Sequence, residues 1–306
     1  MDLLDKSIVL ELMTNSRVSC QELAEKYNST RGVVRKRIKR LEEMGVIQEY
    51  SAWYSLAMVD AEFVFGHVRV NQQIVREEII KDLVQHPMIH AVIPLATGDI
   101  IFHANVVGTE GLSNLGTSIR KLEHVNEVEL NLIQFDRGNK VELKKIHFQI
   151  MSALFSNSRI SVAEISRRTK LSPRRVKRAL NEIESGRGIV LAIARNPALG
   201  SGLSFYVKIY WYEREANAKD LVELIEKEFP VETWESYVSA SDSVLYTRLF
   251  VEHIKDVESI SNRLSQFEAI RKLETLVFYP ARISSVMTRD RLLDDIGKAG
   301  FDICHD

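Results

Sequence analysis

Hydrophobic positions along this chain change their period, and the whole change then happens a second time. Leu4, Ile8 and Leu12, with Val9 and Met13 beside them, recur at helical spacing and predict a first helix over residues 3–14. Ser19 stands three residues before Glu22, the spacing of a capping box, ahead of a short second helix over 21–27 that turns Leu23 and Ala24 inward. Asn28 and Ser29 make a tight connection, and Thr30 caps a third helix that runs to about Met44 and stops at Gly45. Its apolar stripe is Val34, Ile38 and Leu41, and residues 46–50 follow as a short strand. Three helices with a short turn before the third predict a helix-turn-helix, and the strand adds a wing.

From residue 58 the pattern becomes that of an α+β sheet domain. A strand from Phe63 to Val68 leads to a helix over 74–86 with Ile79, Ile80, Leu83 and Val84 inward, ended by Pro87. Strands at 89–95 and 100–107 flank the turn Ala96-Thr97-Gly98-Asp99. A helix over 112–122, with Leu115, Ile119 and Leu122 on one side, precedes a last strand at 125–135. The order is βαββαβ, which predicts a ferredoxin-like antiparallel sheet with both helices on one face. The polar stretch Asp136–Lys140 breaks the chain, and the same order starts again.

Asn157-Ser158-Arg159-Ile160-Ser161 repeats Asn15-Ser16-Arg17-Val18-Ser19 at an offset of 142 residues. Helices over 143–155 and 162–170 precede a third, capped by Ser172 and stopped by Gly186 and Gly188. Residues 189–194 and the loop 196–202 predict a longer wing than in the first copy. A second βαββαβ run over 203–279 ends at Pro280, with a helix expected around 290–298. The predicted fold class is therefore α+β: two winged helix-turn-helix domains, 1–52 and 142–200, alternating with two ferredoxin-like βαββαβ domains, 58–136 and 203–280. A C-terminal extension, 281–306, follows. Repetition at this length indicates a tandem two-domain unit and not a solenoid.

Composition narrows the chemistry. With 45% hydrophobic residues in 306 the chain can fill several cores, yet its longest apolar runs, such as 189–194, fall far below the roughly 18 residues that span a membrane. Asp2, Asp5 and Lys6 interrupt any signal peptide, so a cytoplasmic protein without a membrane partner is expected. Cys20 and Cys304 alone exclude a disulfide framework. His86 and His90 are separated by Pro87, and the other histidines lack ligand spacing, so neither metal nor cofactor is expected. The net charge of -1 means that positive charge must be read locally.

Six of the eleven residues from Arg31 to Leu41 are basic and none is acidic. A third helix of this kind lies in the major groove, where arginine pairs with guanine and lysine neutralises phosphate. The expected partner is double-stranded DNA, contacted in the first copy by Thr30, Arg31, Arg35, Lys36, Arg37, Lys39 and Arg40. In the second copy the corresponding set is Ser172, Arg174, Arg175, Lys177 and Arg178. A solvated charged helix face is the plainer reading, but charge, helix order and wing coincide twice. The turn at Gly98 and Asp99 is explained by hairpin geometry alone; at the corresponding turn the second copy reads Ala240-Ser241-Asp242. Tyr206, Tyr210, Trp211, Tyr212 and Trp234 are expected in core or sheet-pairing surface.

The runs Asn15-Ser16-Arg17-Val18-Ser19, Glu22-Leu23-Ala24, Arg37-Ile38-Lys39-Arg40-Leu41-Glu42 and Gly45-Val46-Ile47 resemble the DNA-binding domain of the Lrp/AsnC family of transcription regulators. Thr97-Gly98-Asp99-Ile100-Ile101-Phe102 resembles the Gly-Asp turn and following strand of that family's effector domain. The resemblance implies paired sheets in a β-sandwich, further assembly, and small molecules, often amino acids, bound near the Gly-Asp turn. For this chain it implies an intramolecular pseudo-dimer, homodimerisation, and an effector near Gly98, Asp99, Ser241 and Asp242. It implies a regulator and not an enzyme. Two alternatives share the architecture or the charge: a siroheme decarboxylase, for which a His/Arg-rich strand pair around a pocket is expected where this chain instead has Thr97-Gly98-Asp99-Ile100-Ile101-Phe102-His103 and keeps very basic third helices, and an architectural chromatin protein.

Overall fold

Asp2 starts the first helix by accepting from the Asp5 amide, while the Asp5 carboxylate accepts in turn from the Asp2 amide. The computed structural model describes residues 1–71, 76–284 and 286–304. In chain order, α1 (Leu3–Thr14), α2 (Cys20–Lys26) and α3 (Arg31–Glu43) lead into β1 (Ile47–Tyr54), β2 (Ala61–Val70) and α4 (Arg76–Gln85). β3 (Ile89–Pro94), β4 (Ile100–Val107), α5 (Gly108–Arg120) and β5 (Val125–Leu132) complete the first copy. α6 (Lys145–Leu154), α7 (Val162–Thr169), α8 (Pro173–Gly186), β6 (Ile189–Arg195) and the short α9 (Ala198–Ser201) open the second. β7 (Leu203–Trp211), α10 (Ala218–Glu228), β8 (Thr233–Val238), β9 (Val244–Val251), α11 (Ile254–Leu264) and β10 (Ile270–Phe278) follow. β11 (Arg282–Ile283) and α12 (Met287–Lys298) end the chain. Ile74 and Val75 of the helix expected over 74–86, and the last two residues of the extension, lie outside the described residues.

Contacts divide these elements into two units. The first comprises residues 1–60, 137–200 and 287–306, and therefore holds both helix-turn-helix segments. The two wings, expected as separate strands, pair with each other: β1 runs antiparallel to β6 from Ile47 opposite Arg195 to Tyr54 opposite Ile189. Each strand needs a hydrogen-bonding partner, and a lone wing of five residues has none within its own copy. The loop expected to lengthen the second wing holds α9 instead. α12 packs its Leu292 and Ile296 into the core formed by α6, α8, Ala52, Tyr54 and Leu191. Arg187, at φ 55, takes the left-handed position after α8 that was expected of glycine. Gly188 is needed for a different reason, because a Cβ there would lie 2.3 Å from the Val141 side chain.

The second unit comprises residues 61–136 and 201–286. Its sheets run β11-β3-β4-β2-β5 and β10-β7-β9-β8. Alternation along β2 sends Val64 and Val68 toward α4 and α5, where they meet Ile79, Ile80, Leu83, Leu115 and Ile119. In the second sheet Phe205, Val207 and Ile209 meet Leu221, Ile225, Val257 and Ile260 in the same way. The other faces meet each other. Phe65 stacks on Tyr246 with ring centroids 4.0 Å apart, and Phe63 stacks on Tyr237 at 5.6 Å. The sheet rims are stitched by reciprocal backbone bonds, Gln134 N to Val238 O at 2.8 Å and Tyr279 N to Pro94 O at 2.9 Å. Within this chain, then, the two sheets form a sandwich. Tyr206, Trp211 and Trp234 are buried and Tyr212 is exposed.

One buried ion pair crosses the sandwich. The Lys208 ammonium, fully buried, reaches both oxygens of Glu129 at 2.7 and 2.6 Å. Tyr246 Oη donates to the same carboxylate at 3.1 Å, and Asn131 Nδ2 reaches it at 3.0 Å. Burial would raise the Glu129 pKa, but Lys208, Asn131 and Tyr246 together hold it below the usual range.

Two outcomes follow from this packing. The Phe102 ring lies so close over Gly66 that a Cβ would stand 2.0 Å from it. Gly66→Ala should therefore destabilise the second unit by about 1–3 kcal/mol through overpacking, read as a lower urea midpoint. Burial pushes His90 down to about 4. A base whose folded pKa lies below its unfolded value near 6.5 contributes stability in full above that value and loses it as pH falls toward 4. Acidification from pH 7 to 5 should cost on the order of 2 kcal/mol, followed by tryptophan fluorescence in urea, and His90→Leu should flatten that slope.

Candidate nucleic-acid interface

The Asn-Ser-Arg repeat is the joint between the two heads. Ser16 and Ser158 are fully buried and share a hydroxyl hydrogen bond of 2.6 Å. Arg17 reaches across to the carbonyls of Ser158 and Ile160 at 2.6 and 2.9 Å, and Arg159 reciprocates on the Ser16 carbonyl. Ser16 N also donates to Leu191 O at 2.7 Å on β6, and Ser158 N to Tyr50 O at 3.1 Å on β1. The repeated segment thus bonds to its own copy in the other head and to that head's wing. Sequence reading found the repeat but not this role, because a repeat shows equivalence and not contact.

On α3 the apolar stripe Val34, Ile38 and Leu41 is buried, which turns the remaining faces outward. Arg31, Arg35 and Lys36 are exposed and make no ion pair among the described residues. Arg37 and Arg40 are engaged otherwise. Arg37 binds Asp2 at 2.6 Å and Asp5 at 2.9 Å, and Arg40 binds the other oxygen of Asp5, a carboxylate with no exposed surface. These arginines tie α3 to α1. Lys39 lies 3.5 Å from Glu43, both well exposed, a pairing of about 0–1 kcal/mol that a phosphate can displace. Thr30 Oγ1 accepts from the Val33 amide at 3.3 Å.

On α8, Arg174, Arg175 and Lys177 are exposed without an ion pair among the described residues. Arg178 Nε donates to Glu182 at 2.9 Å. Ser172 occupies the N-cap position, but its hydroxyl makes no capping bond; Pro173 at the first helical position, with φ preset and no N–H to satisfy, supplies the start instead. Asn28 takes φ 49 in the turn before α3, and Lys170 takes φ 54 in the turn before α8.

The two sheet turns are not equivalent. Leu95 N bonds Asp99 O at 2.8 Å, whereas Ser239 N bonds Val244 O at 2.9 Å. The second turn is one residue longer, so Val244, and not Asp242, stands where Asp99 does. Gly98 takes φ 101, and Asp99 is held by the Val70 amide and by His67 at 3.5 Å. His67, 3.5 Å away, keeps the Asp99 pKa below the usual carboxylate range. Ser241 and Asp242 line a cavity of about 600 Å³, together with Arg69, Glu127, Tyr210, Glu213 and Arg271, among others. Gly98 and Asp99 do not line it. Arg69 is paired with Glu127 at 2.9 Å, while Asp242 and Glu213 accept from the hydroxyls of Ser241 and Ser243.

A second polar group lies inside the sandwich. His103 and Arg248 occupy matching positions, opposite Phe65 on β2 and opposite Tyr206 on β7. The His103 ring sits 5.5 Å from Tyr237 and 6.1 Å from His90, and Arg248 pairs with Glu235 at 3.4 Å. Sequence alone did not join these residues, since they come from four strands. No group of His, Cys, Asp or Glu fit to hold a metal occurs among the described residues. No helix among them is long and apolar enough to cross a membrane.

A winged helix-turn-helix DNA-binding family model matches residues 1–48 and 143–185. An HTH-type transcriptional regulator of Pyrococcus abyssi is 45% identical over 65 residues, 21% of this chain and 38% of the relative. The chain thus spans little more than a third of that relative's length. Among solved structures, the siroheme decarboxylase NirDL aligns over 96% of this chain and 99% of its own, with TM-score 0.58 and 13% identity, a likeness of fold. Escherichia coli AsnC aligns over 46% of this chain and 97% of its own, at TM-score 0.35 and 16% identity. Two family matches, each followed by a βαββαβ sheet, show that this chain carries two winged helix-turn-helix DNA-binding segments, each with its own sheet domain.

Proposed function

We propose that the protein is a sequence-specific, DNA-binding transcription regulator whose two heads read one duplex. The observation that carries this reading is the three exposed cations on each third helix that make no ion pair among the described residues: Arg31, Arg35 and Lys36 on α3, Arg174, Arg175 and Lys177 on α8. Ion pairs leave Arg37 and Arg40 to position α3 and not to touch DNA. Lys39 and the hydroxyls of Thr30 and Ser172 are secondary phosphate contacts, while Arg178 is paired with Glu182. The pairing of the heads through β1 and β6 supports a single bipartite reader, and homodimerisation through other surfaces belongs to the same proposal.

The cavity beside Ser241 and Asp242 suits a small effector of amino-acid type, because it offers guanidinium groups for a carboxylate and carboxylates for an ammonium. Gly98 and Asp99, already satisfied within their own sheet, act as a structural turn. A second reading has one observation in its favour: the buried His103, Tyr206 and Tyr237, with the partly buried His90 and Arg248, supply inside the sandwich the His/Arg strand pair expected of a siroheme decarboxylase. NirDL has also been solved with an iron-uroporphyrin III analogue. Lack of a Soret shift on titration with an iron tetrapyrrole would remove that reading.

Three outcomes test the proposal. With about six phosphates neutralised, affinity for a selected genomic fragment should fall about a thousandfold between about 50 and 200 mM salt, measured by fluorescence anisotropy. The quadruple change Arg31→Ala, Arg35→Ala, Arg174→Ala and Arg175→Ala should abolish binding while the thermal melt stays in place; retained binding would defeat the assignment. Amino acids that raise the Tm of the wild-type protein should lose that effect in Asp242→Ala, whose DNA affinity without ligand should be unchanged.

A further inference from the structure

The two recognition helices carry opposite charge at one matching position. With the offset that sets Ser16 on Ser158, Arg40 of α3 corresponds to Glu182 of α8, and Asp5 of α1 to His147 of α6. Both pairs are formed: Arg40 with Asp5, and His147 Nε2 with Glu182 at 3.0 Å. In the first head the acid is on the supporting helix and the base on the reading helix. The second head reverses them. His147 is buried and its Nδ1 accepts from the Lys144 amide at 3.2 Å, so its Nε2 carries the proton given to Glu182. The remaining Glu182 oxygen takes Arg178 Nε at 2.9 Å.

The same alignment shows how much cationic surface α8 has lost. Arg31, Arg37, Lys39 and Arg40 become Pro173, Ala179, Asn181 and Glu182, while Arg35 and Lys36 become Lys177 and Arg178. Arg174 and Arg175, added in the first turn, replace Gly32 and Val33. We propose that Glu182, pinned by His147, restricts the second head: it repels phosphate from the later turns of α8, holds Arg178 back from DNA, and confines contact to Arg174, Arg175 and Lys177. The first head, where Lys36 is free at the position of Arg178 and Lys39 adds a cation where α8 has Asn181, is the stronger reader. This rests on the DNA-binding reading of both helices.

The experiment is a salt titration of duplex binding by the full chain, wild type against Glu182→Gln, with Arg178→Ala in both backgrounds. Freeing Arg178 adds about one phosphate contact, so Glu182→Gln should steepen the plot of log affinity against log salt by about 0.9. Arg178→Ala should be nearly silent in the wild type and should return the Glu182→Gln slope to the wild-type value. An unchanged slope in Glu182→Gln, or an equal cost of Arg178→Ala in both backgrounds, overturns the inference while leaving DNA binding intact. Failure of the wild type to bind any duplex overturns the DNA-binding reading, and this inference with it.

Discussion

Everything in the first unit depends on how two heads of one chain are joined. The joint has three layers: an antiparallel ladder between β1 and β6, a buried serine pair at 2.6 Å, and two arginines that exchange places on each other's carbonyls. Each layer satisfies backbone or hydroxyl groups that are buried in the joint and would otherwise be left unpaired, a cost of about 1–3 kcal/mol per group. Breaking the joint would expose all of them at once. The heads consequently belong to one body, with α12 closing the core of the second head through Leu292 and Ile296.

The second unit solves the same problem with different chemistry. Its sheets face each other through aromatic rings, and the Lys208–Glu129 pair, bound further by Tyr246 and Asn131, fixes how they meet. A buried pair of this kind is weak evidence of net stability, since desolvation offsets much of the attraction. Its effect is on register, because a shifted sheet would leave both charges unpaired. Pseudo-symmetry is kept in the backbone and given up in the side chains: Lys208 corresponds to His67, Arg248 to His103, and Glu235 to Ala91. Duplication therefore supplied the frame, and divergence made its two ends chemically unlike, down to an open cavity at the Ser241 turn.

Much of this was legible in the residues. Helical spacing of Leu4, Ile8 and Leu12 and the capping pair of Ser19 and Glu22 specify local structure, so α1 and α2 could be read directly. β1 was legible only as a strand. Its hydrophobic content says that it is buried, while the partner, β6, lies more than a hundred residues away and leaves no local mark. The charged face of α3 was visible, but which cations are free was not, since Asp2 and Asp5 are adjacent to Arg37 and Arg40 only after folding. The error at Asp242 came from counting residues through a turn that gained one. Glu182 was readable in principle: the offset that aligned the Asn-Ser-Arg repeat also lays it on Arg40.

The proposed reading of DNA requires the two joined heads to act as one body. Its most direct test is a binding series on a selected duplex in which the spacing between the two protected half-sites is increased by five base pairs, about half a helical turn. A joined pair of heads predicts that affinity falls to that of a single half-site, because the second head then faces away from its groove. Affinity that stays constant across the series would mean that the heads bind independently, and would contradict the joint on which the rest depends.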